Sequence, residues 1–232
     1  PPPPPPIFFF TQTPAPAILS GLVGSEMCIR DSIKILNFGL SFPVMITTVK
    51  EEKIVEEKEY DVYACNSQHG ITSFSYRFQE KDRPGKFFPE KAKSLGIPEG
   101  KAWHQLQSGE SIDVNGKTIH TSDVTGEKRN GKNIGISGDT RPTKNLTEFF
   151  KNCDYLSFDC TFSEELQDRA IETNHSTAKE AAELAKTASV GTLVLTHFSA
   201  RYKDENLLLD EAKAVFESTI AAKDLMEIEI QK

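Results

Sequence analysis

Five side chains able to bind metal or move protons stand far apart in this 232-residue chain: His69, Asp139, Asp159, His175 and His197. Four of them, His69, Asp139, Asp159 and His197, fall at or just after the end of a stretch that reads as a β-strand. In layered α/β folds a rigid sheet fixes such positions while the loops leave room for a ligand. Two histidines with one or two aspartates in that setting suit a zinc or di-metal centre. A carboxylate can bridge two cations ~3.5–4 Å apart while each histidine gives a nitrogen to one of them. Taken singly, a loop histidine is more simply a hydrogen-bonded surface residue, and His104 and His120 are read that way. His175 differs because it precedes Ser176 and the capping box Thr177-Ala178-Lys179-Glu180. A side chain there faces a helix N-terminus, where a phosphate oxygen is also favoured. The residues alone leave equal room for a plain capped helix with an exposed histidine.

The elements that must position these groups are legible from periodicity. Asp61–Cys65 and Phe74–Phe78 alternate as strands, and Ile46–Val49 reads as another. The charged run 51–59 reads as a hairpin or turn. Lys81–Gly109 is irregular, with a Pro-Gly turn at Pro84-Gly85, a short helix over Pro89–Leu95 and a break at Pro98-Glu99-Gly100. Asn115-Gly116 is a hairpin signal, since both residues accept the positive φ of a type I′ turn. From Asn133 onward, strands over 133–137, 154–158 and 192–196 alternate with helices over 143–152, 177–189 and 205–216. Strands separated by helices specify an α/β layered fold.

Composition bounds the function classes. A net charge of −7 excludes a uniformly basic nucleic-acid coat, though not a local basic patch. No run of ~20 apolar residues exists that would serve as a membrane span. Cysteines 28, 65, 153 and 160 form no CxxC pair, which argues against a zinc ribbon or thioredoxin motif and suits a reducing, cytoplasmic setting. Residues 1–32 differ in character and hold eight of the 13 prolines, six of them consecutive. Polyproline buries nothing, and the tract Leu22–Ser32 resembles a translated sequencing adapter. The segment is therefore read as a leader foreign to the rest, artefactual or disordered, with the domain running from residue 33 to 232.

Together the motifs resemble the ribonuclease Z family, the tRNA 3′-processing endonucleases of the metallo-β-lactamase superfamily. The resemblance is carried by Gln68-His69-Gly70 followed by Phe74-Ser75-Tyr76-Arg77-Phe78-Gln79-Glu80-Lys81, then Ser137-Gly138-Asp139-Thr140-Arg141-Pro142 and Asp159-Cys160-Thr161-Phe162. His175-Ser176-Thr177 and Thr196-His197-Phe198-Ser199-Ala200-Arg201-Tyr202 complete it. It implies the C-terminal half of an αββα sandwich with an inserted arm. It also implies a zinc-dependent endonuclease that removes the 3′ trailer from precursor tRNA, with two zincs per subunit activating a water. By the resemblance His69 and His197 are metal ligands and Asp139 is the carboxylate shared by both metals. His175 protonates the leaving oxygen, and Asp159 orients it. The family has Glu at the position of Asp159, so the shorter acid must draw the dyad closer.

Residues 81–109 match the arm that grips tRNA. Over 81–101 it carries Lys81, Arg83, Lys86, Lys91, Lys93 and Lys101 against three acids, a net +3 in an acidic chain. The family's Gly-Pro is here Gly100-Lys101. Arg201 is read as a further RNA contact. A cytoplasmic homodimer is implied for the complete enzyme, and no membrane. The family's His-x-His-x-Asp-His motif is absent. The sequence therefore reads as the C-terminal part of the enzyme, inactive and poorly metal-loaded by itself, with a broad apolar sheet face exposed. Two other readings remain: a non-catalytic RNA-binding fragment using only the arm, and a different phosphodiesterase of the same fold.

Overall fold

The computed structural model describes residues 6–12, 15–19 and 44–230, with side chains from 49 to 230. The readings placed on 1–5, 13–14 and 20–43, including the adapter-like tract, lie outside the described residues. In the leader, the backbone of β1 (Pro6–Gln12) and β2 (Ala15–Leu19) forms antiparallel strands, joined by β3 (Val44–Thr48) in the order β2-β1-β3. The sequence reading assigned no element to the leader. Ile7-Phe8-Phe9-Phe10 has the apolar and aromatic bias of a strand, which the flanking prolines obscured.

The described residues fall into two compact units, one drawn from those up to 56 together with 61–78 and 133–230, the other from 57–60 and 79–132. The first is built on a seven-stranded sheet. Its strands are β4 (Lys53–Glu56), β5 (Tyr60–Ser67), β6 (Ser73–Glu80), β9 (Asn133–Ile136), β10 (Tyr155–Asp159), β11 (Thr192–Thr196) and β12 (Thr219–Ala221), in the order β12-β11-β10-β9-β6-β5-β4. Strands β9 to β12 run parallel, and β4 pairs antiparallel with β5. In register, Asp159 lies opposite Thr196, which places the acid beside the strand end that leads into His197.

One face of the parallel strands is covered by helices over Lys144–Phe149, Ala178–Thr187 and Asn206–Val215. Leu156, Phe158, Leu193 and Leu195 point into this core, where they meet Leu146, Phe150 and Leu208, all without solvent exposure. The fully buried Ala178, Ala181, Ala182 and Ala185 let the middle helix approach closely. Gly135 is required for the same reason. A Cβ there would stand 2.5 Å from the Phe150 ring and 2.8 Å from a Leu156 methyl. On the opposite face Ile136 is 49% exposed. A helix over Gln167–Thr173 and strand β12 escaped the sequence reading, being only seven and three residues long.

The second unit contains the expected arm and extends past it to residue 132. Helices over Pro89–Ser94 and Lys101–Gln107, the hairpin of β7 (Ile112–Val114) and β8 (Lys117–Ile119), and a short helix over Thr121–Val124 enclose a small core of Ala92, Ile97, Leu106, Ile119 and Val124. Asn115 and Gly116 take φ of 52° and 78°, as the type I′ turn demands. The helix over Lys101–Gln107 was missed because it is two turns long and its apolar face is only Ala102, Trp103 and Leu106. No helix among the described residues is long and apolar enough to cross a membrane.

Candidate active site

All five residues singled out in the sequence come together in the first unit. His175 is central: its ring lies 5.0 Å from that of His69 on one side and stacks at 5.0 Å on that of His197 on the other. The ligating atoms of His69, Asp139 and His175 lie within 4.8 Å of one another, as do those of Asp159, His175 and His197. His69 follows the end of β5, Asp139 sits in the turn after β9, Asp159 ends β10, and His197 follows β11.

The hydrogen bonds fix which nitrogen each imidazole presents. His69 Nδ1 lies 3.1 Å from the carbonyl of Asn174, an oxygen that can only accept. His175 Nδ1 lies 2.8 Å from Asp159 Oδ2. Thr161 Oγ1 gives its one proton to Asp159 Oδ1 at 2.6 Å, so at 2.8 Å it must accept from His197 Nδ1. Each ring thus carries its proton on Nδ1 and keeps the Nε2 lone pair available, the arrangement found when an outer acceptor orients a metal-binding histidine. Asn174, whose carbonyl serves His69, is a left-handed helix C-cap at φ 59°. His197 is itself left-handed at φ 63°, a region that few non-glycine residues enter, histidine more readily than most.

Asp159 has a different role from Asp139. It is 1% exposed, and its two oxygens accept from Thr161 N at 3.0 Å, Thr161 Oγ1, Thr140 N at 3.0 Å and His175 Nδ1. Four bonds fill a carboxylate's capacity, so Asp159 orients His175 and has nothing left for a cation. The acid one methylene shorter still closes the dyad at 2.8 Å. Asp139 is half-buried, and its Oδ2 stands 3.5 Å from His197 Nε2. With a lone pair on that nitrogen this is no ion pair. It is close to the ~3.4 Å separating two ligands of one tetrahedral zinc with ~2.1 Å bonds. His69, Asp139 and His197 offer nitrogen and oxygen donors of the kind zinc takes, so the residues present fit the metal.

Sequence reasoning missed the parts that hold these groups. Ser137 Oγ accepts from Asp159 N at 3.0 Å, and Thr140 Oγ1 accepts from Gln68 N at 3.0 Å, beside His69. Arg141 pairs with Glu180, which is also the acidic member of the capping box. Burial works against the Glu180 charge, but the bonds from Arg141 and Thr177 outweigh it and hold the carboxyl below its ordinary value. The quoted motif residues contained this signal, since neither Thr161 nor Arg141 has a packing role in an apolar core. Cys160 is no nucleophile: it is fully buried, and burial drives its thiol far above the ordinary range.

The cations assigned to RNA divide between the units. Arg201 is exposed, with its guanidinium 4.9 Å over the Phe162 ring, which in turn lies 6.3 Å from the His175 ring. In the second unit Lys86, Lys91, Lys93 and Lys101 are exposed. Arg83 pairs with Glu80 at 2.6 Å, Lys93 with Glu99 at 3.3 Å, and Lys81 donates to the Glu57 carbonyl at 2.7 Å. His120 caps the helix over Thr121–Val124, in keeping with the structural role given to it.

No family model matches the chain. Ribonuclease Z of Nitrosopumilus maritimus is 57% identical over 211 residues, covering 91% of this chain and 71% of that protein. Ribonuclease Z of Archaeoglobus fulgidus is 47% identical over 193 residues, covering 82% and 63%. Ribonuclease Z of Bacillus licheniformis is 36% identical over 220 residues, covering 94% and 72%. Among solved structures, the short form of human tRNase Z superposes with a TM-score of 0.46 at 20% identity, over 78% of this chain and 46% of that one. The chain spans about two thirds of the length of these curated relatives. With identity of this extent to several relatives, the chain belongs to the ribonuclease Z family.

Proposed function

We propose that the chain works in a zinc-dependent endonuclease that removes the 3′ trailer from precursor tRNA. The observation that supports this best is the ring of three imidazoles, each with Nδ1 occupied and Nε2 available, around Asp139. His69, Asp139 and His197 would hold metal, with Asp139 shared between two ions. When bound, the metals supply positive charge against the phosphate and lower the pKa of water. The rest of the reaction falls to the chain itself. As water adds to phosphorus, the P–O3′ bond breaks and the departing oxygen needs a proton. His175 Nε2, once it has taken a proton to make the imidazolium that Asp159 stabilises, is the group placed to give it, and Asp159 holds the ring for that transfer. A general acid contributes ~10²–10⁴-fold.

Lys81, Arg83, Lys86, Lys91, Lys93, Lys101 and Arg201 would bind the RNA backbone, and such contacts weaken with salt. The complete enzyme would be a cytoplasmic homodimer with two zincs per subunit. Missing the His-x-His-x-Asp-His motif, residues 33–232 by themselves would load zinc weakly and be inactive. The test is trailer cleavage by protein expressed from the complete open reading frame, with Asp139→Ala as control. Cleavage after the discriminator nucleotide that is lost in the control is expected. Protein that binds precursor tRNA and never cuts it, with zinc supplied, overturns the reading.

A further inference from the structure

We infer that Arg141 is a positioning residue for His175, with Glu180 as its partner. The inference rests on the reading of His175 as the proton donor and adds what places it. Arg141 is largely buried, its side chain 12% exposed, as is that of Glu180. Its Nη1 donates to the His175 carbonyl at 2.6 Å and to Glu180 Oε2 at 2.8 Å, while Nη2 donates to Glu180 Oε1. The guanidinium is turned into the protein, where Nη1 and Nη2 make these three bonds. A planar fork grips a carboxylate bidentately and a carbonyl beside it in one fixed geometry, which the point charge of an ammonium does not impose.

Glu180 is anchored independently. It occupies the third position of the helix over Ala178–Thr187 and accepts from Thr177 N at 3.0 Å and Gln167 Nε2 at 3.3 Å. The capping box needs only the Thr177 contact, so the bidentate guanidinium is an addition to it. The His175 backbone is thereby held at both ends, its N–H by the Ala170 carbonyl at 2.9 Å and its carbonyl by Arg141. Asp159 then needs only to set the ring. The same loop reaches the other site residues: Arg141 N donates to the Gln68 carbonyl at 2.9 Å beside His69, Thr140 N donates to Asp159, and Ser176 Oγ donates to the Thr140 carbonyl at 2.5 Å.

The experiment compares parent, Arg141→Lys and Glu180→Gln, each expressed from the complete reading frame, zinc-loaded and checked for cooperative melting. Two substrates separate positioning from general damage. Precursor tRNA releases a ribose oxygen that needs a proton, whereas a p-nitrophenyl phosphodiester releases a phenolate that does not. Arg141→Lys should lower trailer cleavage about 10–100-fold and change p-nitrophenolate release by less than about twofold. Glu180→Gln should act in the same direction and less. Nitrogen-15 imidazole spectra of zinc-free protein supply a readout independent of turnover: His175 should be a single Nδ1–H tautomer in the parent and a mixture in Arg141→Lys. Equal losses on both substrates, or an unchanged His175 tautomer, overturn the inference. A parent that cuts neither substrate defeats the nuclease reading, and the spectra then decide the positioning claim alone.

Discussion

On the proposed function, the two units would solve different problems with different means. In the first, every imidazole of the site is tied at Nδ1 to a carbonyl, a hydroxyl or a carboxylate, and Asp159 has each acceptor position used. These bonds are anchored in a sheet backed by a broad apolar core. In the second, exposed lysines ride on two short helices over five buried residues, with Lys93 paired to an exposed acid and Lys91 resting over the Phe88 ring. Proton transfer and metal binding demand placement to fractions of an ångström. Attraction for a polyanion demands only charge at roughly the right place. The contrast teaches that single side-chain changes should be severe in the first unit and graded in the second.

The largest effect expected is that of His175→Ala. Trailer cleavage should fall ~10²–10⁴-fold with zinc content and tRNA affinity unchanged, measured by single-turnover kinetics and plasma emission. Loss of zinc as well would make His175 a ligand and blur its separation from His69 and His197. Leu106→Ala removes a fully buried side chain from the small core of the second unit and should cost ~3 kcal/mol there. Hydrogen exchange should rise across 79–132 and not across the strands bearing the site. A rise in both would show that the units share one cooperative transition.

Thr161→Val removes the acceptor that fixes His197 and should weaken zinc binding about 10–100-fold in competitive chelator titrations. The smallest effect belongs to the arm. Lys91→Gln or Lys93→Gln should lower tRNA affinity slightly and flatten the salt dependence by just under one ion each. A loss of tenfold or more from one lysine would make the arm as exacting as the first unit and erase the contrast.

The sequence disclosed these units unequally. Strand ends carry polar residues for a physical reason, and that alone brought His69, Asp139, Asp159 and His197 forward as a group. The strand over Thr192–Thr196 and the capping box at Thr177 were legible because each has a local signature. What local patterns cannot encode is a partner thirty or more residues away. Arg141 with Glu180, Asn174 with His69 and Thr161 with His197 are contacts of the folded chain, and nothing in the intervening residues announces them. The helix over Lys101–Gln107 was hidden for the opposite reason: it is so short that three apolar residues, Ala102, Trp103 and Leu106, make its whole inner face.

The left-handed backbone at His197 has a consequence for evolution and engineering alike. Glycine would sit there with less strain, so His197→Gly releases conformational tension in the native state even as it loosens the unfolded chain. Replacement by any β-branched residue would compound the tension. The chain tolerates an awkward torsion at this imidazole, and a survey of stabilising substitutions that scored folding alone would select against the very side chain the proposed chemistry uses.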